Sequence, residues 1–247
     1  MEPLSLDNFS IYRGNEIILT TKHRKSQSIA PVFEDILRAK VIEKVLDTDI
    51  LGTFTGEIKR QRGMLESARQ KCLWGLKETG SDYGLASEGS FGPHPLVPFV
   101  ACDREIIYFI DQVRDFHFHL HIISEKTNYA MKLIESLEEL NIFAEHALFP
   151  SHGLIIRPNI WESKTIIFKG IQSQADLECA FKESLHLSPD NKAWVETDMR
   201  AHLNPSRRAV LADLAKKIAS RLRQYCKSCS FPGWGQISLR SGLPCSD

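Results

Sequence analysis

The sequence predicts an α/β protein, with a mixed sheet flanked by helices over residues 1–223 and a small zinc-ribbon-like tail over 224–247. Three observations carry this. Short β-branched runs such as Glu16–Thr21 (E-I-I-L-T-T) and Lys164–Ile171 alternate with stretches of helical periodicity such as Met64–Gly75 and Ser173–Leu187, and strand–helix alternation marks the α/β class. The composition, 43% hydrophobic and 25% charged over 247 residues, is that of a globular chain long enough to bury an ample core. Three of the six cysteines, Cys226, Cys229 and Cys245, crowd the C-terminal end, and Cys226-x-x-Cys229 has the spacing of a metal knuckle.

The bulk numbers also exclude some functions. Lys+Arg and Asp+Glu are both 31, so net charge argues neither for nor against nucleic acid. No apolar run approaches the roughly 20 residues of a membrane helix, so no membrane partner is expected. The first ten residues, M-E-P-L-S-L-D-N-F-S, have neither the basic nor the apolar region of a secretory signal, and the cytoplasm is the expected compartment.

In chain order, Glu16–Thr21 reads as a buried strand. It runs directly into T-K-H-R-K-S, which places Thr21, Lys22, His23 and Lys25 at a strand's carboxyl end, where open α/β sheets bind ligands. Taken alone, Lys22 and Lys25 read better as solvated surface charge. Ile29–Arg38 follows as a helix with Pro31 in its first turn, and Lys40–Leu46 as a second strand. Asp47–Glu57 (D-T-D-I-L-G-T-F-T-G-E) is a polar loop ending in Glu57. Met64–Gly75 has amphipathic spacing and carries Glu66 and Lys71.

Ala86–Pro95 (A-S-E-G-S-F-G-P-H-P) combines Gly and Pro with Ser87, Glu88, Ser90 and His94. Its composition points to a sharply folded loop exposing those side chains. Val97–Cys102 and Glu105–Asp111 are strand-like, joined by a hairpin at Cys102–Arg104. Phe116–Ile123 puts His117, His119 and His121 on one strand face, either as metal ligands or as a polar surface, and the polar surface is the more frequent case. Lys126–Leu140 reads as a long helix, with short strands at Ile142–Phe149 and Leu154–Arg157. Glu196, Asp198, Arg200, His202, Asn204 and Arg207 make a dense polar cluster before a helix over Arg207–Tyr225, whose N-terminus reads equally as an anion site or as a helix cap flanked by solvated arginines.

The motifs T-K-H-R-K, D-T-D-I-L-G-T-F-T-G-E, A-S-E-G-S-F-G-P-H-P and E-T-D-M-R-A-H-L-N-P-S-R, with the terminal cysteines, resemble an uncharacterised bacterial family known only as domain of unknown function 6671. In that family the last motif continues to a fourth cysteine. A second resemblance is to inosine/xanthosine triphosphate pyrophosphatases, through Thr21-x-x-x-Lys25, Glu66-Ser-Ala-Arg-Gln-Lys71, the acidic stretch at Glu88 and Ser206-Arg207-Arg208-Ala-Val-Leu. Arg104–Trp194 matches that family poorly.

The pyrophosphatase resemblance implies a Mg²⁺-dependent hydrolase of a nucleotide or other phosphorylated small molecule. Glu57, Glu66 and Glu88 would be catalytic and hold Mg²⁺. Thr21, Lys22, His23, Lys25, Lys71, Ser87, Ser90, His94, Arg200, Asn204 and Arg207 would bind substrate. Cys226, Cys229 and Cys245 would hold structural Zn²⁺. The alternative is a non-enzymatic module that binds nucleic acid or protein through the ribbon and the basic helix. Under the enzyme reading, Thr21–Lys25, the three glutamates, His94 and Arg200–Arg207 are expected to meet in one pocket.

Overall fold

The structure, a computed structural model, describes residues 10–47, 63–160 and 166–236. Strands β1 (Glu16–Thr21), β2 (Lys40–Val45), β3 (Tyr83–Pro93), β4 (Ala101–Asp111) and β5 (Phe116–Ser124) form one sheet in the order β2-β1-β3-β4-β5. β1 runs parallel to both β2 and β3, and β3, β4 and β5 are successively antiparallel. The sheet is therefore mixed, as expected.

Helices cover both faces of this sheet. Helix α1 (Ser26–Leu37) buries Ile29, Phe33 and Leu37, a stripe spaced by one helical turn, against Leu19, Leu85, Ile107 and Phe109. Helix α5 (Pro205–Leu222) adds Leu214, Ile218 and Leu222 to the same core. Helix α2 (Met64–Thr79) lies on the opposite face, packing Ala68, Cys72 and Leu76 against Ala86, Ile106 and Tyr108. Gly84 lets α2 sit close, because a Cβ there would lie 2.7 Å from Cys72 Sγ and 2.8 Å from Leu76 Cγ.

Between β5 and α5 the chain builds a second sheet. Its strands β6 (Met131–Ile134), β7 (Leu154–Pro158), β8 (Phe168–Ile171) and β9 (Ala193–Thr197) run in the order β6-β9-β7-β8, all antiparallel. Helices α3 (Leu137–His146) and α4 (Gln174–Leu187) close an apolar core of Ile134, Leu140, Phe143, Leu154, Ile156, Leu177, Phe181 and Val195. Ser136 and Ser173 cap these helices, accepting from the backbone N–H of Glu139 and of Asp176.

Several expectations are corrected. Ala86–Pro95 is not an exposed loop: through Pro93 it belongs to β3, a central strand whose Leu85–Gly89 segment is buried. Cys102–Arg104 is not a hairpin turn either, since Ala101–Asp111 is one strand and the tip lies at 94–100. The long helix expected over Lys126–Leu140 is strand β6 followed by the start of α3, and Ile142–Phe149 is mostly the rest of α3. There the capping serine at 136 outweighs the apolar run. Among the described residues no helix is long and apolar enough to cross a membrane.

Candidate functional site

The first sheet reverses its winding at β1. The chain crosses from β1 to β2 on one side through α1, then returns past β1 to β3 through α2 on the opposite face. The carboxyl ends of β1 and β3 therefore flank a switch point, the place where doubly wound sheets open a crevice. β1 stops at Thr21 while β3 continues from Ala86 to Pro93. Ser87 is level with the last residue of β1, and Glu88 to Phe91 extend beyond it, into the region where α1 begins.

Charged groups from both faces gather here. Lys25, at the start of α1, is buried and donates to the carbonyl and hydroxyl oxygens of Ser87, both at 3.0 Å. Its pKa is lowered to about 7, first by burial, then by the positive charge of Arg207, with Glu105 and Glu88 opposing. Glu88 points to the other face and pairs with Lys71 of α2. Arg207, in the first turn of α5, is fully buried. Its Nε donates to Glu105 Oε1 at 2.6 Å and its Nη1 to the Met199 carbonyl, and its guanidinium lies 5.1 Å from the Phe91 ring centre. Gly89 makes room for this: a Cβ there would run into the Arg207 guanidinium and lie 2.8 Å from Glu105 Cδ. A small residue is thus required for space in a flat strand.

Above this floor lies a cationic rim. His23, in the β1–α1 turn, stacks on His202, in the short turn before α5, with ring centres 5.6 Å apart. The His202 pKa is lowered by burial and then by Arg200, against Asp198, with Arg24 and Arg208 adding to the lowering. Arg200 is held by buried Asp198, through Nε to Oδ1 at 3.0 Å and Nη2 to Oδ2 at 2.6 Å. Asn204 caps α5, accepting from the Arg207 backbone N–H at 2.9 Å. Buried His152 adds a second clasp. Ser151 Oγ donates to the Leu148 carbonyl at 2.6 Å and faces His152 Nδ1 at 2.9 Å, so Nδ1 carries the proton and Nε2 accepts from Ser206, 2.9 Å from its Oγ.

Of the residues singled out from sequence, Lys25, Ser87 and Arg207 lie on one face of the sheet at the switch point, and Glu88 with Lys71 lies on the other. His23, Arg200 and Asn204 belong to the rim and its supports. Thr21 ends β1, where its hydroxyl accepts from the His23 backbone N–H at 3.3 Å, and Lys22 turns outward to Asp47 at 2.7 Å. Ser90 accepts from Arg104 Nη2 at 3.2 Å. His94 stands apart, at the tip between β3 and β4, where its ring accepts from the Leu96 N–H. Glu66 is half-exposed on α2, accepting from Gln70 Nε2 at 2.8 Å. Glu57 and Cys245 lie outside the described residues.

Asp103 and Glu105 were missed. Their signal was present: Asp103, Glu105, Ile107, Phe109 and Asp111 alternate as one face of a single strand, and all five are buried. The histidines of β5 do share a face, but among the described residues no three His, Cys, Asp or Glu side chains are grouped to hold a metal ion. Glu66 and Glu88 therefore do not make a Mg²⁺ cage by themselves. Cys226 and Cys229 are free thiols, and backbone N–H groups of Cys229 and Ser228 facing the Cys226 sulfur hold its pKa below the usual thiol value. The Cys226 N–H to Phe231 carbonyl and Ser230 N–H to Cys226 carbonyl bonds close the knuckle.

No curated protein and no solved structure matches the chain. A family model described as "Domain of unknown function (DUF6671)" matches residues 71–247, which hold Lys71, Glu88, the Asp198–Arg207 rim and the cysteine tail, and the chain belongs to that family.

Proposed function

We propose that the chain is a hydrolase of a nucleotide or another phosphorylated small molecule, with the phosphates bound at the switch point beneath the His23–His202 rim. The observation that carries this is the convergence of cationic groups from separate elements on one crevice edge: Lys25 of α1, Lys71 of α2 and Arg207 of α5 below, Arg24, Arg200 and Arg208 around His202 above. Lys71, Arg200 and Arg207 each have a carboxylate partner within the chain, so the support lies in their placement: Lys and Arg beside a helix N-terminus suit phosphate. Mg²⁺ would arrive largely on the substrate's own phosphates, with Glu57 and Glu88 the nearest candidates in sequence for its carboxylate contacts.

The same proposal gives the tail a structural Zn²⁺ held by Cys226, Cys229 and Cys245 in a reducing cytoplasm. The Cys226 thiolate-favouring knuckle supports it. Nucleic-acid binding through α5 is less well supported, because its arginines are committed within the chain. Arg207 bonds Glu105, Arg208 donates to the carbonyls of Ala201 and His202, and Arg221 donates to those of Gly233 and Gln236.

The test is release of phosphate and pyrophosphate from nucleoside triphosphates, inorganic pyrophosphate and phosphomonoesters, with and without Mg²⁺. Turnover lost in Lys25→Ala, mainly through weaker substrate binding, is the expected outcome. No release from any of them, with no binding of pyrophosphate by calorimetry, would sink the hydrolase reading.

A further inference from the structure

We infer that Asp103 is a neutral carboxylic acid that shares its single proton with Glu105, and that this pair positions Arg207 across the joint between the two sheets. The inference does not depend on what the cleft binds. Asp103 and Glu105 project from alternate positions of β4 onto the same face, and both are 0% exposed. Among the described residues, both oxygens of Asp103 and Oε2 of Glu105 are buried without a hydrogen-bond donor. Glu105 Oε1 takes the Arg207 Nε–H, which leaves one carboxylate acceptor and one whole carboxyl group facing it.

Two dry, adjacent carboxylates with three empty acceptor oxygens would be costly to keep. One proton resolves most of it: Asp103 O–H donates to Glu105 Oε2, and Glu105 keeps its charge for Arg207. This is the behaviour of like carboxyls that cannot both ionise. The groups facing Asp103 agree. Glu105 lies beside it on β4, Arg207 reaches it from α5 and Lys25 from α1. Among the described residues β3 contributes Gly89 and Phe91 to this face and no charge, and Ser124 of β5 lies opposite Asp103. Arg104, Glu88 and Lys71 belong to the other face. Burial and the neighbouring Glu105 push the Asp103 pKa up to about 8, against Arg207 and Lys25.

The structural consequence lies at Arg207. It joins Glu105 of the first sheet to the Met199 carbonyl on the segment that leaves the second. With Asp103 neutral, Arg207 faces one carboxylate and its direction is fixed. With Asp103 ionised it is drawn between two. Asp103 is thus a positioning residue for the N-terminus of α5.

The sign of the pH effect follows. A folded-state pKa of about 8 against an ordinary 3.8 makes stability fall as pH rises between those values and level off above them. The test compares the whole chain with Asp103→Asn and Asp103→Ala. Infrared difference spectra near neutral pH should show the carbonyl band of a protonated carboxylic acid in the natural chain, lost on titration to alkaline pH and absent from Asp103→Asn. Melting temperature should fall with rising pH by several degrees more in the natural chain than in Asp103→Asn, whose amide still donates to Glu105. Asp103→Ala should melt lower at every pH. Absence of the infrared band in the natural chain, or equal pH slopes in the natural chain and Asp103→Asn, would overturn the inference. So would a large stabilisation by Mn²⁺ or Mg²⁺ that Asp103→Asn abolishes, since the pair would then be a cation site. If Asp103→Asn fails to fold, the infrared titration of the natural chain alone decides.

Discussion

The two sheets of this protein are held together in different ways. The second encloses an apolar core of Leu, Ile, Val, Phe and Ala. The first buries Lys25, Glu88, Asp103, Glu105, Asp111 and Arg207 within or beside its core. Hydrophobic burial alone would favour the second arrangement everywhere, because buried charges bring little net stability even when well paired. A sheet that keeps six ionisable groups inside is therefore organised for something besides stability. The second sheet behaves as a buttress: it delivers the Asp198–Asn204 segment to the cleft and holds it there through Asp198 and His152.

The contrast can be broken most forcefully at Arg207. Arg207→Ala leaves Glu105 buried without its cation and should cost about 3–5 kcal/mol in urea unfolding. The loss should vary with pH, because Arg207 contributes to the shifted pKa values of both Asp103 and Lys25. Ile156→Val, in the apolar core, should cost about 0.5–1.5 kcal/mol with no pH dependence. Equal pH profiles for the two variants would show that the first sheet's charges are not energetically distinct. Glu88→Gln comes next. Removing the buried partner of Lys71 should cost about 1.5–3 kcal/mol and abolish any nucleotide hydrolysis. Full activity in a folded Glu88→Gln variant would remove the residue from the mechanism.

How far this division could be read from the sequence depends on what each glycine and charge was doing. β1, β2, α2 and α4 announced themselves by periodicity, as did the cationic stretch at the end of β1. Glu88 does lie at the switch point, but in a central strand and not in the loop that its neighbours suggest. Its Gly-rich surroundings suggest a turn, yet Gly89 provides room for Arg207 and Glu105, which sit opposite it only after the sheet forms. No local pattern announces that need. Asp103 and Glu105 were hidden by the same mistake, because placing a turn at 102–104 breaks the alternation that would have shown them on one face. The 102 positions between Glu105 and Arg207 put their pairing beyond any local motif.

Two smaller effects sharpen the comparison. Lys25, with a folded pKa of about 7 against an ordinary 10.5, favours the unfolded chain through protonation. Its contribution to stability should rise as pH increases from about 7 to 10.5, the reverse of Asp103, and Lys25→Met should remove that rise in a thermal melt series. Smallest of all, His94→Ala at the β3–β4 tip should change stability by less than about 0.5 kcal/mol and leave phosphate binding intact. A marked loss of binding would show that the tip folds over the cleft.

The placement of α5 has a consequence for how the protein is made. The face of the first sheet that carries Phe116, Phe118, Leu120 and Ile122 is covered by a helix that begins only at Pro205. During synthesis the five strands leave the ribosome long before their cover does, and the whole second sheet must be translated in between. That apolar face, with Glu105 beside it still lacking Arg207, stays open for the intervening seconds. The nascent chain thus carries an uncovered apolar sheet face until α5 emerges, and the second sheet is free to fold during the wait.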